Sequence, residues 1–277
     1  MLPRDVLTRG FLIENYINKR MSSDDLADKL GFGQTTILRH LKRYNLTRTN
    51  SEGQKNKFYK THNVSILYEM CPFTAYFLGF LITDGSLGDY NNHKHIAFAV
   101  GEKSSSVLSY FASVLGGNVN RYDYSENKDS IHTIEYHYSL YNEELFDLIN
   151  KKYNIFPRKT YNCSFPDYVP DDLMQYFFRG AIDGDGWITS DRNRMVLGYV
   201  SASKNYIDNF LDYLCNKFII RKPKITNIRK IKNLYYSFCF SHKYAIKICS
   251  WIYKDLLEGN PQTFALPYKY ERFLKYF

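Results

Sequence analysis

Two short segments about 100 residues apart carry nearly the same pattern. The first runs Phe77-Leu78-Gly79-Phe80-Leu81-Ile82-Thr83-Asp84-Gly85, the second Phe178-Arg179-Gly180-Ala181-Ile182-Asp183-Gly184-Asp185-Gly186. Each reads as an apolar helix with a glycine at its centre, an aspartate at its end and a glycine beyond as the usual stop signal. A helix C-terminus carries partial negative charge, so a carboxylate there is disfavoured. Two of them at matching places predict a positive charge, most simply a divalent cation, where the helix ends meet. Helix C-caps at a buried interface would account for the glycines but not for both carboxylates.

The surroundings repeat as well. After Asp84, strands are predicted over 86–90, 95–100, 118–124 and 131–140, with helices over 104–115 and 143–153. After Asp185 come strands over 187–189, 194–202, 224–231 and 234–240, with helices over 205–218 and 244–257. Ile134, Tyr136, Tyr138 and Leu140 alternate with Glu135, His137 and Ser139; Tyr236, Phe238 and Phe240 alternate with Tyr235, Ser237 and Cys239. A period of two indicates sheets with one packed and one open face. The fold class is therefore α+β, a tandem pseudo-dimer of two αββαββα subdomains, placed at 73–165 and 166–277.

Ahead of them, residues 1–48 read as a small all-α unit. Val6, Phe11, Leu12, Tyr16 and Ile17 fall at helical spacing, and Ser22 or Ser23 can cap a short helix that buries Leu26, Ala27 and Leu30. Gly31-Phe32-Gly33 makes a turn into a helix with Ile37, Leu38 and Leu41 inward. That pattern is a helix-turn-helix, with Gln34, Thr35, Thr36, Arg39 and Arg43 set to reach base edges. A small helical adaptor would show the same apolar spacing. Residues 47 to about 63 are polar and basic with almost no apolar periodicity, and a linker is placed at 49–72, lying along phosphates or simply solvated.

Composition narrows the partner. Lys and Arg total 37 against 28 Asp and Glu, a formal charge of +9 that favours a polyanion, nucleic acid before membrane. The five cysteines (Cys71, Cys163, Cys215, Cys239, Cys249) have no C-x-x-C spacing, so a reduced, cytoplasmic protein is expected, without a disulfide framework or zinc site. No signal-peptide core or membrane-length apolar run is read in the sequence, so no membrane partner is expected.

If the glycine-centred helices pack side by side, Gly79 and Gly180 let their backbones approach, and Asp84 and Asp185 converge. Like charges that close cost several kcal/mol unless neutralised. Oxygen-only ligands favour Mg²⁺, with Mn²⁺ as a substitute, and suit phosphodiester hydrolysis. Asp183-Gly184-Asp185-Gly186 also resembles the start of a calcium loop, but Trp187 occupies the next ligand position and the required glutamate is missing.

With these motifs in hand, everything after Pro72 resembles the LAGLIDADG homing endonucleases in their monomeric two-motif form, here with an N-terminal helix-turn-helix. The resemblance implies saddle-shaped antiparallel sheets, and Asp84 and Asp185 as metal-binding catalytic acids. It implies metal ligation by the carbonyls of Thr83 and Gly184, and a catalytic lysine in each half. Those lysines match Lys159 in Ile155-Phe156-Pro157-Arg158-Lys159-Thr160 and Lys269 in Leu266-Pro267-Tyr268-Lys269. The motif's earlier acidic position is Asp183 in the second copy but Ile82 in the first, a position that varies in the family. Alternate sheet residues would read DNA; candidates are His93, Lys94, Arg121 and Lys128 in the first half. In the second they are Arg192, Arg194, Lys224, Thr226, Asn227, Arg229 and Lys230.

The expected function is that of a monomeric Mg²⁺-dependent endonuclease that cuts both strands of a long duplex DNA site and leaves 3′ overhangs. The alternative on the same residues is a relative that no longer cuts, acting on its host intron RNA as a maturase or on DNA as a transcriptional regulator.

Overall fold

The computed structural model of the chain describes residues 6–90, 93–125, 134–230 and 233–277. The chain divides into two units after Thr61. In the first, α1 (Arg9–Leu12) runs into a π-helical turn, Ile13–Asn18, followed by α2 (Ser23–Leu30) and α3 (Gln34–Arg43). Ser22 starts α2 with a reciprocal capping box to Asp25, and Gly31 ends it at φ 66°, a left-handed conformation that favours glycine. Leu7, Leu12, Tyr16, Leu26, Ala27, Ile37 and Leu41 form the core. Two expected core positions differ: Ile17 is 42% and Leu38 40% exposed, because each lies one residue off the stripe their helices bury.

The segment expected to be an open linker contains a helix, α4 (Asn50–Thr61), within this first unit. Its start is fixed by Thr49 and Glu52, whose side chains accept from each other's backbone amides at 3.3 and 2.7 Å. Phe58 is its buried anchor.

The second unit holds both repeats. The first comprises α5 (Pro72–Asp84), β1 (Gly85–Tyr90), β2 (His93–Gly101), α6 (Ser105–Leu115), β3 (Asn120–Asp123), β4 (Ile134–Leu140) and α7 (Glu143–Lys152). The second comprises α8 (Met174–Asp185), β5 (Gly186–Asp191), β6 (Arg194–Ser201), α9 (Lys204–Phe218), β7 (Thr226–Lys230), β8 (Asn233–Ser241) and α10 (Lys243–Ile252). A short α11 (Lys254–Leu257) and a terminal α12 (Pro267–Leu274) follow, so the helix expected over 244–257 is broken in two. The sheets are antiparallel, in the orders β1-β2-β4-β3 and β5-β6-β8-β7.

One face of each sheet is packed. Ile96, Phe98 and Val100 lie opposite Leu140, Tyr138 and Tyr136, and Leu197 and Tyr199 opposite Phe240 and Phe238. The alternate row carries Ala97, Ala99, Ser139 and His137 in the first sheet and Val196, Gly198, Val200 and Cys239 in the second. No described helix is long and apolar enough to cross a membrane.

Candidate functional site at the paired helix ends

α5 and α8 cross at their glycines. A Cβ at Gly79 would fall 2.9 Å from Ala181 N and against the Phe177 carbonyl; one at Gly180 would fall 2.9 Å from Phe80 N and against the Tyr76 carbonyl. The contacts are reciprocal, as two-fold pseudo-symmetry requires. The glycines beyond the aspartates serve differently from the left-handed stop that the sequence suggests. Gly85 and Gly186 both have φ −87° and pass directly into strands. Glycine is needed there because a Cβ would meet the Cα of Leu81 at 2.9 Å, or of Ile182 at 2.7 Å.

This crossing brings Asp84 and Asp185 to one seam. A Cβ at Gly184 would lie 2.6 Å from Asp84 Oδ2, so the second helix end sits against the first helix's carboxylate. Asp84 is accessible to solvent but lies in a concave setting, where surrounding protein raises its pKa. Burial, then the Asp84 charge, pushes Asp185 up to about 7.

The positive charge expected at the helix ends is present as two ammonium groups. Lys159 donates to the Gly85 carbonyl, and Lys269 to the matching Gly186 carbonyl at 2.8 Å. Lys269 also donates to Ile182 and Asp183 at 2.7 Å and to Gly184 at 3.2 Å, so it closes the C-terminus of α8. An ammonium has three protons, and four carbonyls occupy them fully. Lys269 therefore positions the backbone around Asp185, whereas Lys159 lines a cleft of about 210 Å³ with Asp185, Thr83 and Cys163. Burial lowers the pKa of both lysines.

Both ammonium charges pull Asp185 down, yet burial and the neighbouring Asp84 charge keep its pKa raised, so its ionised form is poorly solvated at the seam. Among the described residues no group of three or more His, Cys, Asp or Glu could hold a metal. Any cation between the two aspartates must complete its shell with backbone, water or substrate oxygens, the donor set of a hard ion. Gly184 O already accepts from Lys269, leaving its second lone pair; the Thr83 hydroxyl donates to Phe80 O at 2.9 Å.

The raised carboxylate has a consequence for stability. Folded Asp185 holds its proton to about pH 7, while the unfolded chain releases it near 3.8. The folded state thus binds more protons between these values, and its contribution to stability falls as pH rises across that window. We expect Asp185→Asn, compared without divalent ions, to flatten the decline in melting temperature from pH 5 to pH 7.5; an unchanged slope would contradict the assignment.

Asp183 was outside the expected chemistry, yet it is buried and joins three elements. Its Oδ2 accepts from Tyr76 Oη at 2.8 Å and from Leu266 N at 2.9 Å, tying α5 to the start of α12, which carries Lys269. The matching pair in the pseudo-symmetric position is Phe177 and Ile82. Arg179 is also fully buried, bound to Asp255 and to the Ile252 carbonyl.

The nucleic-acid candidates separate by sheet row. Lys94 lies opposite Asp89 on β1, in the same packed row as Ile96, and bonds Glu143 and Asp147 of α7 at 3.1 and 3.0 Å. It is on the helix-covered side, because side chains two residues apart in a strand share a face. Arg121 lies opposite packed-row Tyr136 and pairs with Asp123 at 3.2 Å. His93 aligns with the open row, and Lys128 lies outside the described residues. In the second sheet Arg194, Thr226 and Lys230 align with the open row, and Asn227 and Arg229 with the packed row. Arg192 and Lys224 are exposed beside the strands, and Arg192 has φ 47° in the turn before β6. In the first unit Gln34, Thr35, Arg39 and Arg43 are exposed and Thr36 half-buried along α3.

Sequence reasoning missed the aromatic character of the open faces. Tyr122 lies 4.5 Å from the His137 ring, and His95 stacks on Tyr141 at 5.1 Å. Trp187 lies flat over Gly198, where a Cβ would come within 2.8 Å of its Nε1.

Residues 172–252 match the family model described as a LAGLIDADG-like domain. Among solved structures, the homing endonuclease I-WcaI bound to its DNA recognition sequence is similar over 74% of this chain and 88% of its own, with TM-score 0.50 and 12% identity. The N-terminal LAGLIDADG domain of DUF199/WhiA aligns over 75% of this chain and 94% of its own, with TM-score 0.43 and 18% identity. A mesophilic variant of the homing endonuclease I-DmoI aligns over 66% and 96%, with TM-score 0.42 and 14% identity. Comparison with curated proteins gives no match.

Proposed function

We propose that this chain, whose residues 172–252 match the LAGLIDADG-like domain, is a divalent-metal-dependent endonuclease that cuts both strands of a specific duplex DNA site. The observation that carries this reading is the convergence of Asp84 and Asp185, one from each repeat, at a glycine-packed seam beside two lysines. Mg²⁺, with Mn²⁺ as substitute, fits the oxygen-only donor set; when bound it would supply Lewis-acid stabilisation of the phosphate and activation of water.

The chain's own groups have distinct parts. Asp84 and Asp185 would hold the cation. Lys269 fixes the carbonyls of α8, and with them the angle of Asp185. Lys159, which lines the cleft, would meet the attacking water or the phosphate oxygen. Because both acids come from one polypeptide, the active species is a monomer. The basic residues of the second sheet and the α3 surface supply DNA contacts, and a first unit that reads bases would extend the site.

A second reading rests on the first sheet. Its open row, among side chains described, carries His95, Tyr122 and His137 but no Lys or Arg, a surface suited to stacking on unpaired bases. That arrangement favours a non-cleaving nucleic-acid binder, including an intron RNA maturase. A randomised duplex library incubated with Mg²⁺, with all new ends sequenced, separates the two. Discrete ends with 3′ overhangs support the nuclease; intact duplex with retained RNA or DNA binding supports the second reading.

Metal affinity should follow the proton on Asp185. Below about pH 7 the cation must displace that proton, so its apparent affinity should rise roughly tenfold per pH unit there. Melting with and without Mg²⁺ across this range measures it, and a pH-independent stabilisation would argue against cation binding at this seam.

A further inference from the structure

The first unit contains a cavity that none of the chemistry above uses. It has a volume of about 650 Å³ and opens between the π-helical turn, the start of α2 and α4. Its walls include Tyr16, Arg20, Ser22, Ser23, Arg48 and Lys57, and no carboxylate is among its described lining residues. The acids nearest in sequence are turned onto backbone amides: Asp25 accepts from Ser22 N at 2.6 Å and Glu52 from Thr49 N at 2.7 Å.

The two arginines are held on aromatic faces. Arg48 lies 3.7 Å from the Tyr16 ring centroid and donates to Met21 O at 3.0 Å; Arg20 lies 4.3 Å from the Tyr59 centroid. Such stacking orients a guanidinium while leaving its charge in place. Arg20 also adopts φ 55°, a left-handed conformation uncommon for a long side chain and costly to keep. Burial lowers the pKa of Arg48, with the Tyr16 and Glu52 charges opposing the shift and the Arg20 charge adding least to it. Three cations, one of them on a strained backbone, are thus gathered around a polar hollow.

We propose that this cavity is a clamp for the sugar-phosphate backbone of duplex DNA, gripping a strand beside the α3 helix. Its edge is continuous with α3: Gln34, the first residue of that helix, donates to Ser23 Oγ at 3.3 Å. The guanidiniums and Lys57 match phosphate oxygens, and the volume admits a phosphate with its flanking sugars. The clamp rests on the DNA-acting reading of the chain but is independent of cleavage. It makes α4 part of the DNA-binding surface rather than a tether.

The test uses the full chain and a labelled duplex of mixed sequence, with affinity measured from about 50 to 200 mM salt. Arg20→Gly with Lys57→Ala removes two charges, and the glycine also relieves the left-handed backbone, so the fold should not weaken. A matched control, Lys151→Ala with Lys254→Ala, removes two charges from exposed positions on α7 and α11. The clamp predicts about a tenfold affinity loss for the first pair regardless of sequence, and a salt slope reduced by about 2, with the control close to wild type. Equal effects from both pairs, or no change in slope, would overturn it. Inorganic phosphate that raises the melting temperature of wild type but not of the cavity variant, with duplex binding unchanged, would assign the cavity to a free anion and overturn it as well. Cleavage by the same wild-type preparation keeps the outcomes apart: a cutting enzyme with an unaltered slope sinks the clamp alone, and a chain that binds no duplex sinks both readings.

Discussion

Replacing Gly79 or Gly180 by alanine should lower stability by about 3 kcal/mol or more, and the double variant should fail to fold at 37 °C. The added methyl would meet backbone atoms, the Phe177 carbonyl and Ala181 N in one case and the Tyr76 carbonyl and Phe80 N in the other. A side chain could swing aside; a helix backbone cannot, so α5 and α8 must separate along their length. For a unit of this size that loss corresponds to a fall of roughly 6–12 °C in melting temperature. Any surviving single variant should also lose function, because separating the helices parts Asp84 from Asp185. Gly53→Ala is the matched control. It lies on exposed α4 with nothing within 4 Å of a new Cβ, and should stabilise by up to about 1 kcal/mol. Thermal melting of the three variants decides the point, and a Gly79→Ala protein as stable as wild type would show that the helices do not cross as described.

The second large effect lies at Arg179. Its side chain is fully buried, with Asp255 as its charged partner and Ile252 O and Thr263 O as further acceptors. Asp255→Ala leaves that guanidinium buried without a counter-charge, which should cost about 3–5 kcal/mol. The change also frees Gln262 N, which donates to Asp255 at 2.7 Å and steadies the segment leading to Lys269. Leu78 fills the pseudo-equivalent position in α5. Arg179→Leu with Asp255→Leu removes both charges together and should cost less than Asp255→Ala alone. Chemical denaturation of the single and double variants measures the difference; additive losses would mean that the pair is not coupled.

Much of this architecture is legible in the residues because its signals are local and repeated. The paired motifs mark α5 and α8, and the alternation at Ile134–Leu140 marks which face of β4 is packed. Lys94 could have been placed by the same parity, since it lies two residues from Ile96; selecting it by charge left its row unread. Arg121 could not, because every residue of β3 is exposed and no buried position fixes the parity. α4 lacked an apolar stripe and depends on a cap and on Phe58, signals too sparse to outweigh its polar composition. Arg179 was visible as a lone charge in an apolar helix, but its partner lies 76 residues away and is found only in three dimensions. At the helix ends, where the motif calls for positive charge, the structure has the ammonium groups of Lys159 and Lys269, neither of which the helix motifs themselves contain.

The most direct measurement is cleavage of the duplex selected from the library, in Mg²⁺, by wild type, Asp84→Asn and Asp185→Asn, with both strands followed separately. The account predicts that each substitution lowers double-strand cleavage by at least about 100-fold while binding persists, since each removes a carboxylate that no neighbouring side chain replaces. Cutting at the wild-type rate by either variant would contradict it.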